Sequence, residues 1–399
     1  MTPGLRLFLV AGEPSGDLLG GALIEGIRSL VPDIEVAGVG GSSMEAAGMH
    51  SLFPMHELSV MGIAEVLPRL PNLMRRIAET AGAVVAMRPD ALITIDSPDF
   101  TLRVARAARK RLPDLRVIHY VAPSVWAWRP GRAAKMAKVV DHVLALLPFE
   151  PPYMRAAGMS CDFVGHPVVA EPRASTEAVA TARADLGLSD GQPLLLLLPG
   201  SRRSEVDRMG PVFAEVARRL RSEHPDLAVV VPAAAPVVDL VAGHLKPDAA
   251  GWPRLLDPRG MPAPVWEARK RAVFAAGDAA LAASGTVSLE LAAAGTPMVI
   301  GYGANALTVW MVKRLMRVDT ATLVNLVTGT RAVPEFLFER CTPELIVPAI
   351  AALLFDPGAS AAQRATGEEA MLLLGRGGEP PGVRAGRSVL GALGGEVRP

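Results

Sequence analysis

The 399-residue chain has only two cysteines, Cys161 and Cys341, and a formal net charge of only +1. Two thiols cannot make a disulfide framework and are too few for a cysteine-built metal site, which predicts a reducing, cytosolic setting. The seven histidines show no HxxxH or HExxH spacing, so no metal is expected. Lys and Arg number 41 against 40 Asp and Glu, which argues against a dedicated nucleic-acid binder. Long apolar runs are missing too. The run Leu5–Ala11 is short and leads into Glu13 and Asp17 with no cleavage-site pattern behind it. The longest charge-free stretch, Leu291–Val312, is broken by Gly295, Pro297, Gly301, Gly303 and Asn305, which suit strand and turn rather than a bilayer-spanning helix. What is abundant is aliphatic: half of the residues are hydrophobic and only 5% aromatic. That excludes disorder as the main state, and the length predicts two domains with a core each.

Strand, glycine loop and helix alternate twice along the chain. Strands are predicted at Leu5–Ala11, Ile34–Val39, Ala91–Ile95, Val117–Val121 and Val143–Leu146, with helices at Leu18–Leu30 and Thr101–Arg111 between them. Small polar residues and prolines cluster near Gly165–Thr176, after which the pattern restarts: strands at Leu194–Leu198, Leu227–Val231, Ala279–Ala283 and Met298–Tyr302, and a helix from about Asp207 to Ser222. Such alternation implies parallel βαβ units, an α/β fold. The expected division is an N-terminal domain over 1–170, a second over 171–357, and a partly flexible tail over 358–399, whose end is rich in Gly, Pro and Arg.

Open parallel sheets bind ligands at the carboxyl ends of their strands, and four loops there carry suggestive residues. Gly12–Asp17 (GEPSGD) offers backbone N–H groups at a helix start, with Glu13, Ser15 and Asp17 in reach; Asp17 as a simple helix cap is the competing reading. The loop is neither a P-loop nor a GxGxxG fingerprint, which disfavours ATP and NAD. Asp96, directly after the strand Ala91–Ile95, is placed for a general base, though cap and turn formers give the same letters. Pro199–Arg203 puts Ser201 and the Arg202 fork at a helix N-terminus, suited to phosphate, with solvated arginine the alternative. Ser284, Gly285 and Thr286 can donate to a pyrophosphate, and Glu290, a turn further on, can accept from ribose hydroxyls. His166, Trp126 and Trp128 read as architectural or substrate-lining. One local asymmetry stands out: residues 69–138 carry 14 Lys and Arg against 5 Asp and Glu. Arg-rich solvated helix faces explain it, as does attraction to an anionic lipid or a phosphorylated substrate.

Nine segments occur in order between Leu5 and Glu344: GEPSGDLLGG, SVMGIAEVLPRLP, IDSPDF, YVAPSVWAWRPGR, LPFE, VGHP, LPGSRRSEV, ASGTVSLE and LTVWMVKRL. Together they resemble the lipid-A-disaccharide synthase family of glycosyltransferases. The resemblance implies a GT-B fold, two Rossmann-like domains with the active site in the cleft between them, and no cofactor. It implies inverting transfer from a UDP-2,3-diacylglucosamine donor to a 2,3-diacylglucosamine 1-phosphate acceptor, giving the β-1,6-linked disaccharide 1-phosphate and UDP. Carried over by motif, Asp96 is the candidate base. Glu13, Ser15 and Asp17 form the acceptor-side loop. Ser201, Arg202, Ser284, Gly285, Thr286, Glu290 and Asn325 bind the UDP donor. Three positions depart from the family pattern: Pro14, Val324, and Phe338 where glutamine is common. The alternatives are a UDP-N-acetylglucosamine 2-epimerase-like enzyme with the same architecture and a non-catalytic sugar- or lipid-binding module.

Acylated substrates reside in a bilayer, which gives residues 55–76 a second meaning. They are rich in apolar side chains and end on Arg69, Arg75 and Arg76. Met61, Ile63, Val66, Leu67 and Leu70 are expected to face inner-membrane surface lipids, an amphipathic helix packed on its own sheet being the alternative. The expected location is cytoplasmic and peripheral to the inner membrane; a homodimer is possible, and nucleic acid is not expected as a partner.

Overall fold

The computed structural model describes residues 4–58, 63–128, 131–249, 251–304 and 318–394, with the single positions 309, 314 and 316; over 63–69 only the backbone is described. The chain divides into two compact units, residues 1–170 with 374–399, and residues 171–373.

The first unit holds a seven-stranded parallel sheet. Its strands are β1 (Leu5–Ala11), β2 (Ile34–Val39), β3 (His50–Ser51), β4 (Ala91–Ile95), β5 (Arg116–Tyr120), β6 (His142–Ala145) and β7 (Ser160–Phe163). They run in the order β3-β2-β1-β4-β5-β6-β7. The side chains of β1 alternate between two cores: Leu7 and Leu9 enter one cluster, Phe8 and Val10 another on the opposite face. A parallel sheet covered by helices on both faces requires such uninterrupted apolar strands. The second unit repeats the plan with β8 (Leu194–Leu198), β9 (Ala228–Pro232), β10 (Arg254–Leu256), β11 (Ala279–Ala283), β12 (Met298–Tyr302) and β13 (Glu335–Leu337), in the order β10-β9-β8-β11-β12-β13. In each sheet the winding reverses beside its first strand, between β1 and β4 and between β8 and β11.

From residue 358 the chain is helical where a partly flexible tail was expected. The helix Pro357–Leu373 belongs to the second unit, and the helix Pro381–Ala392 returns to the first. Ala385 and Val389 are fully buried in the core beside the helix Pro14–Leu30. The glycines that suggested looseness permit close approach: a Cβ at Gly26 would overlap the Gly382 carbonyl. Residues 395–399 lie outside the described residues. Gly26→Ala should therefore push the two helices apart and lower stability by about 1–3 kcal/mol, measured by urea denaturation. An unchanged midpoint would show that the helix pair tolerates the methyl group.

A buried carboxyl anchors the turn after β5. Glu150 is 4% exposed, and its two carboxyl oxygens accept from Trp126 Nε1 at 3.2 Å and from the Leu147 N–H at 3.0 Å. Trp126 in turn meets the Phe149 ring edge-on at 5.1 Å. Burial pushes Glu150 from 4.5 up to about 7, against the pull of those N–H donors. Because the folded pKa is raised, the stability held by the neutral group is complete below pH 4.5 and is lost as pH rises to about 7. Glu150→Gln cannot ionise, so its stability relative to wild type should improve across that window, by up to about 3 kcal/mol. A difference that stays constant in denaturation series at several pH values would mean that Glu150 is ionised throughout.

Candidate active site

The first-unit switch point brings together two of the loops singled out in the sequence. Ala11 at the end of β1 lies in register with Ile95 at the end of β4, so the loops that follow are neighbours. A Cβ on Gly12 would sit 2.8 Å from Ser97 Oγ, and that hydroxyl donates to Glu13 Oε1 at 3.3 Å. Asp96 and Ser97 both adopt left-handed backbone, φ 46° and 41°, and Val121 across the sheet does so at φ 83°. Such conformations cost on the order of 1–3 kcal/mol each and gather at functional sites. Here they are held by Asp96 N–H donating to the Tyr120 carbonyl at 3.0 Å and by the Thr101 hydroxyl, 2.7 Å from the Asp96 carbonyl and 3.1 Å from that of Ser97. The strained turn aims Asp96 into a cavity of about 490 Å³.

That cavity is also lined by His119 and by four cations, Arg103, Arg106, Arg132 and Lys135. His119 is buried, its Nδ1 2.8 Å from Thr94 Oγ1, and burial lowers its pKa to about 4, so it stays neutral near pH 7. The basic surplus over residues 69–138 signalled cations here without saying which. Glu13 and Ser15 are exposed at the start of the helix Pro14–Leu30, and Glu13 accepts from Ser97. Asp17 is different. It is buried, and its carboxylate accepts from the backbone N–H groups of Gly41 (2.7 Å), Ser43 (2.9 Å) and Met44 (3.0 Å). It caps the helix Ser42–Ala46 and fixes the loop after β2, a structural part in place of the expected acceptor-loop part.

The second-unit switch point forms a cavity of about 630 Å³ lined by Ser201, Arg202, Ser284, Gly285, Thr286 and Glu290. Among the lining residues that sequence reading missed are Glu205, Trp266, Glu267 and Lys270. Glu205 Oε2 accepts from the N–H groups of Ser201 (3.1 Å) and Arg202 (3.3 Å), and Oε1 holds the Arg202 guanidinium at 3.1 Å. Those two backbone donors are therefore engaged, while the Arg202 side chain remains 74% exposed. The Ser284 hydroxyl donates to the Ala321 carbonyl at 3.2 Å. What remains for an anion is the exposed Arg202 guanidinium and the start of the helix Val287–Ala294, whose dipole favours negative charge. One turn in, Glu290 pairs with Lys270 Nζ at 3.0 Å, and Lys270 also reaches Glu267 at 2.8 Å. Burial works against the Lys270 ammonium, but Glu290 and Glu267 outweigh it and hold its pKa above the usual range. Glu290 is thus a partnered, oriented acceptor.

Asn325 does not line this cavity. It is 0% exposed; its Oδ1 accepts from the Val333 N–H at 3.0 Å and its Nδ2 donates to the Val333 carbonyl at 2.9 Å. Both ends of the amide clamp the strand leading to β13, so the expected donor contact becomes a structural one. Phe338 has left-handed backbone, φ 57°, and is also absent from the lining. Of the apolar residues expected to face lipid, Met61 and the side chains of Ile63, Val66 and Leu67 lie outside the described residues. Leu70 and Met74 are 40% and 49% exposed on the helix Ile63–Met87, whereas Leu58 and Leu73 pack on the core. No single helix among the described residues is long and apolar enough to cross a membrane.

The solved structures that resemble this chain share its fold. A UDP-GlcNAc 2-epimerase from Neisseria meningitidis, bound to UDP-GlcNAc, matches with a TM-score of 0.65 and 12% identity, covering 98% of this chain and 99% of that one. A UDP-GlcNAc 2-epimerase from Methanocaldococcus jannaschii, in complex with UDP-GlcNAc and UDP, matches at 0.54 and 13%, covering 96% and 98%. At such identity the likeness shows the fold alone, the GT-B fold expected from the sequence, and does not favour the epimerase alternative. Sequence relatives are far closer. A lipid-A-disaccharide synthase of Ruegeria pomeroyi is 60% identical over 98% of this chain and 96% of its own length. One of Rhodospirillum centenum is 45% identical over 98% and 95%. The lipid-A-disaccharide synthetase family profile matches residues 7–376, and the chain belongs to that family.

Proposed function

We propose that this chain transfers a diacylated glucosamine from UDP-2,3-diacylglucosamine to the 6-hydroxyl of 2,3-diacylglucosamine 1-phosphate, releasing UDP. Family membership carries the activity, and the observation that carries the residue roles is the separation of two chemistries at two switch points. In the first unit Asp96 presents a carboxylate to a cavity, supported by a strained backbone. It takes the proton of the acceptor 6-hydroxyl as that oxygen attacks the donor anomeric carbon from the face opposite UDP. The bond from that carbon to the pyrophosphate oxygen breaks, and its electron pair leaves with UDP. In the second unit the negative charge developing on UDP meets the start of the helix Val287–Ala294 and the Arg202 guanidinium, while Glu290, held by Lys270, accepts from the ribose hydroxyls. Preorganised donors of this kind contribute about 10²–10³ in rate each.

Two variants separate the roles. Asp96→Asn should lower kcat by about 10²–10⁴ and leave UDP affinity unchanged. Glu290→Ala should weaken UDP binding by calorimetry; it also removes one of the two ion-pair partners of Lys270, leaving the pair with Glu267. An Asp96→Asn enzyme that keeps more than about a tenth of the wild-type kcat is incompatible with Asp96 as a base.

The finer part of the reading concerns where the substrates are met. The exposed Leu70 and Met74, beside Arg75, support a shallow contact of this helix with the inner-membrane surface, apolar groups in the acyl boundary and cations at the headgroups. Leu70→Glu should reduce flotation with vesicles containing anionic lipid, and added salt should weaken wild-type binding only in part, since the apolar share is not screened. Equal flotation of folded wild type and variant would make this face an ordinary solvated one.

A further inference from the structure

The cavity beside Asp96 holds more positive charge than proton abstraction needs. Arg103 and Arg106 stand one turn apart on the helix Pro98–Arg109, which begins at the Asp96 turn. Arg132 and Lys135 have the same spacing on the helix Gly131–Met136, and all four line the one cavity. Against them stand two carboxylates, Asp96 and Asp99. Two arginines of the neighbouring helices are matched: Arg76 pairs with Glu57 and Glu79, and Arg109 with Asp141. Among the described residues the four cavity cations form no ion pair; Arg132 lies over the Trp128 ring at 5.8 Å. Like charges one helical turn apart repel, each pair costing about 0.2–0.5 kcal/mol. Among the described residues no ion pair offsets that cost and only Asp96 and Asp99 share the cavity, whereas a dianionic ligand would meet the four cations directly.

We propose that Arg103, Arg106, Arg132 and Lys135 form a subsite for a phosphate monoester on the acceptor sugar, and that this anchor makes the chain select a 1-phosphorylated acceptor. The inference rests on the assignment of Asp96 as the base on the acceptor side. Its chemistry is that of forked guanidinium contacts to phosphate oxygens, with Lys135 as a point charge. On a glucosamine ring the 1-phosphate and the 6-hydroxyl project from either side of the ring oxygen. Holding the phosphate among the cations therefore turns the 6-hydroxyl towards Asp96 and fixes which hydroxyl reacts. It also excludes a nucleotide-sugar from the acceptor position, because a diester pyrophosphate has a different shape and carries a uridine that the cavity would have to admit.

The test compares 2,3-diacylglucosamine 1-phosphate with the same acceptor lacking phosphate, both in neutral detergent micelles, for wild type, Arg103→Ala/Arg106→Ala and Arg132→Ala/Lys135→Ala. The readout is the ratio of kcat/KM for the two acceptors. Wild type should favour the phosphorylated one, and each double variant should cut that preference at least about tenfold, the value of one lost charge-assisted contact. The donor KM should hold, and Arg106→Lys should restore the preference only in part. Lys110→Ala, exposed at the end of the same helix and outside the cavity, should keep the wild-type ratio. All four side chains are exposed, and melting temperatures confirm that the variants remain folded. A ratio unchanged in both double variants overturns the subsite, as does an equal loss on both acceptors. If the ratio holds but binding to phosphatidylglycerol vesicles is lost, the cations serve lipid headgroups instead. A wild-type protein that makes no disaccharide from either acceptor sinks the functional reading and the subsite with it. Turnover by wild type with an unchanged ratio in the variants sinks the subsite alone.

Discussion

Each unit depends on one constraint, the reversal of winding direction inside a parallel sheet. Where β1 sends the chain one way to β2 and β4 sends it the other way to β5, the two following loops lie side by side and no crossover helix covers the gap between them. The same holds at β8 and β11. A crevice at the carboxyl ends of those strands follows from topology alone. Register then decides which residues meet there: Ala11 beside Ile95 places the Gly12 loop against Asp96 and Ser97, and Leu198 beside Ala282 places the Arg202 loop against Ser284. The side chains differ between the units, but the geometry that gathers them is the same.

The two crevices are supported in different ways. Around Asp96 the support is backbone: three non-glycine residues in left-handed conformation, held by carbonyl acceptors and the Thr101 hydroxyl. Strain of this kind persists only where the surroundings over-determine it, and the fully buried strand β4 and the buried carboxyl half of β5 provide that. Around Glu290 the support is electrostatic, a chain from Glu267 through Lys270 to Glu290, with Glu205 holding Arg202 opposite. Asp17 and Asn325 belong to the supporting structure in both cases. Each uses all its polar atoms on backbone or neighbouring groups and so fixes a segment near a crevice without entering it.

Legibility in the sequence tracked burial. The strands Leu5–Ala11, Ala91–Ile95, Leu194–Leu198 and Ala279–Ala283 are central, apolar on both faces and flanked by glycine or polar loops, and their bounds were readable to the residue. Edge strands were not: β3 has two residues, while β10 and β13 have three each, too few for any period to register. The tail 358–399 was expected to be partly flexible because Gly, Pro and Arg are frequent near its end, yet small residues are what the contact of the helix Pro381–Ala392 with the helix Pro14–Leu30 requires. For the site, residues in loops beside strong strands could be named, as Asp96, Arg202 and Glu290 were. Lys270, Glu205 and His119 could not, since their place depends on which helix or strand folds across which loop. Asp17 and Asn325 show the converse: the motif letters were right, but only geometry distinguishes a carboxylate or amide that meets a ligand from one that meets the backbone.

Charge illustrates the same limit more sharply. A net charge of +1 hides a surplus of nine over residues 69–138, and the surplus hides a further division. Arg76 and Arg109 hold acidic partners and fasten their helices to the unit; Arg103 and Arg106, within a few residues of Arg109 on one helix, face a cavity instead. The difference lies mainly along the helix. Positions 99, 102, 103 and 106 line the cavity near the helix start, while 109, at its last turn, meets Asp141 and the Leu115 carbonyl. The functional content of a basic segment therefore lies in where the fold carries each cation, to an acidic partner or to a cavity, and a count of charges along the sequence does not hold that information.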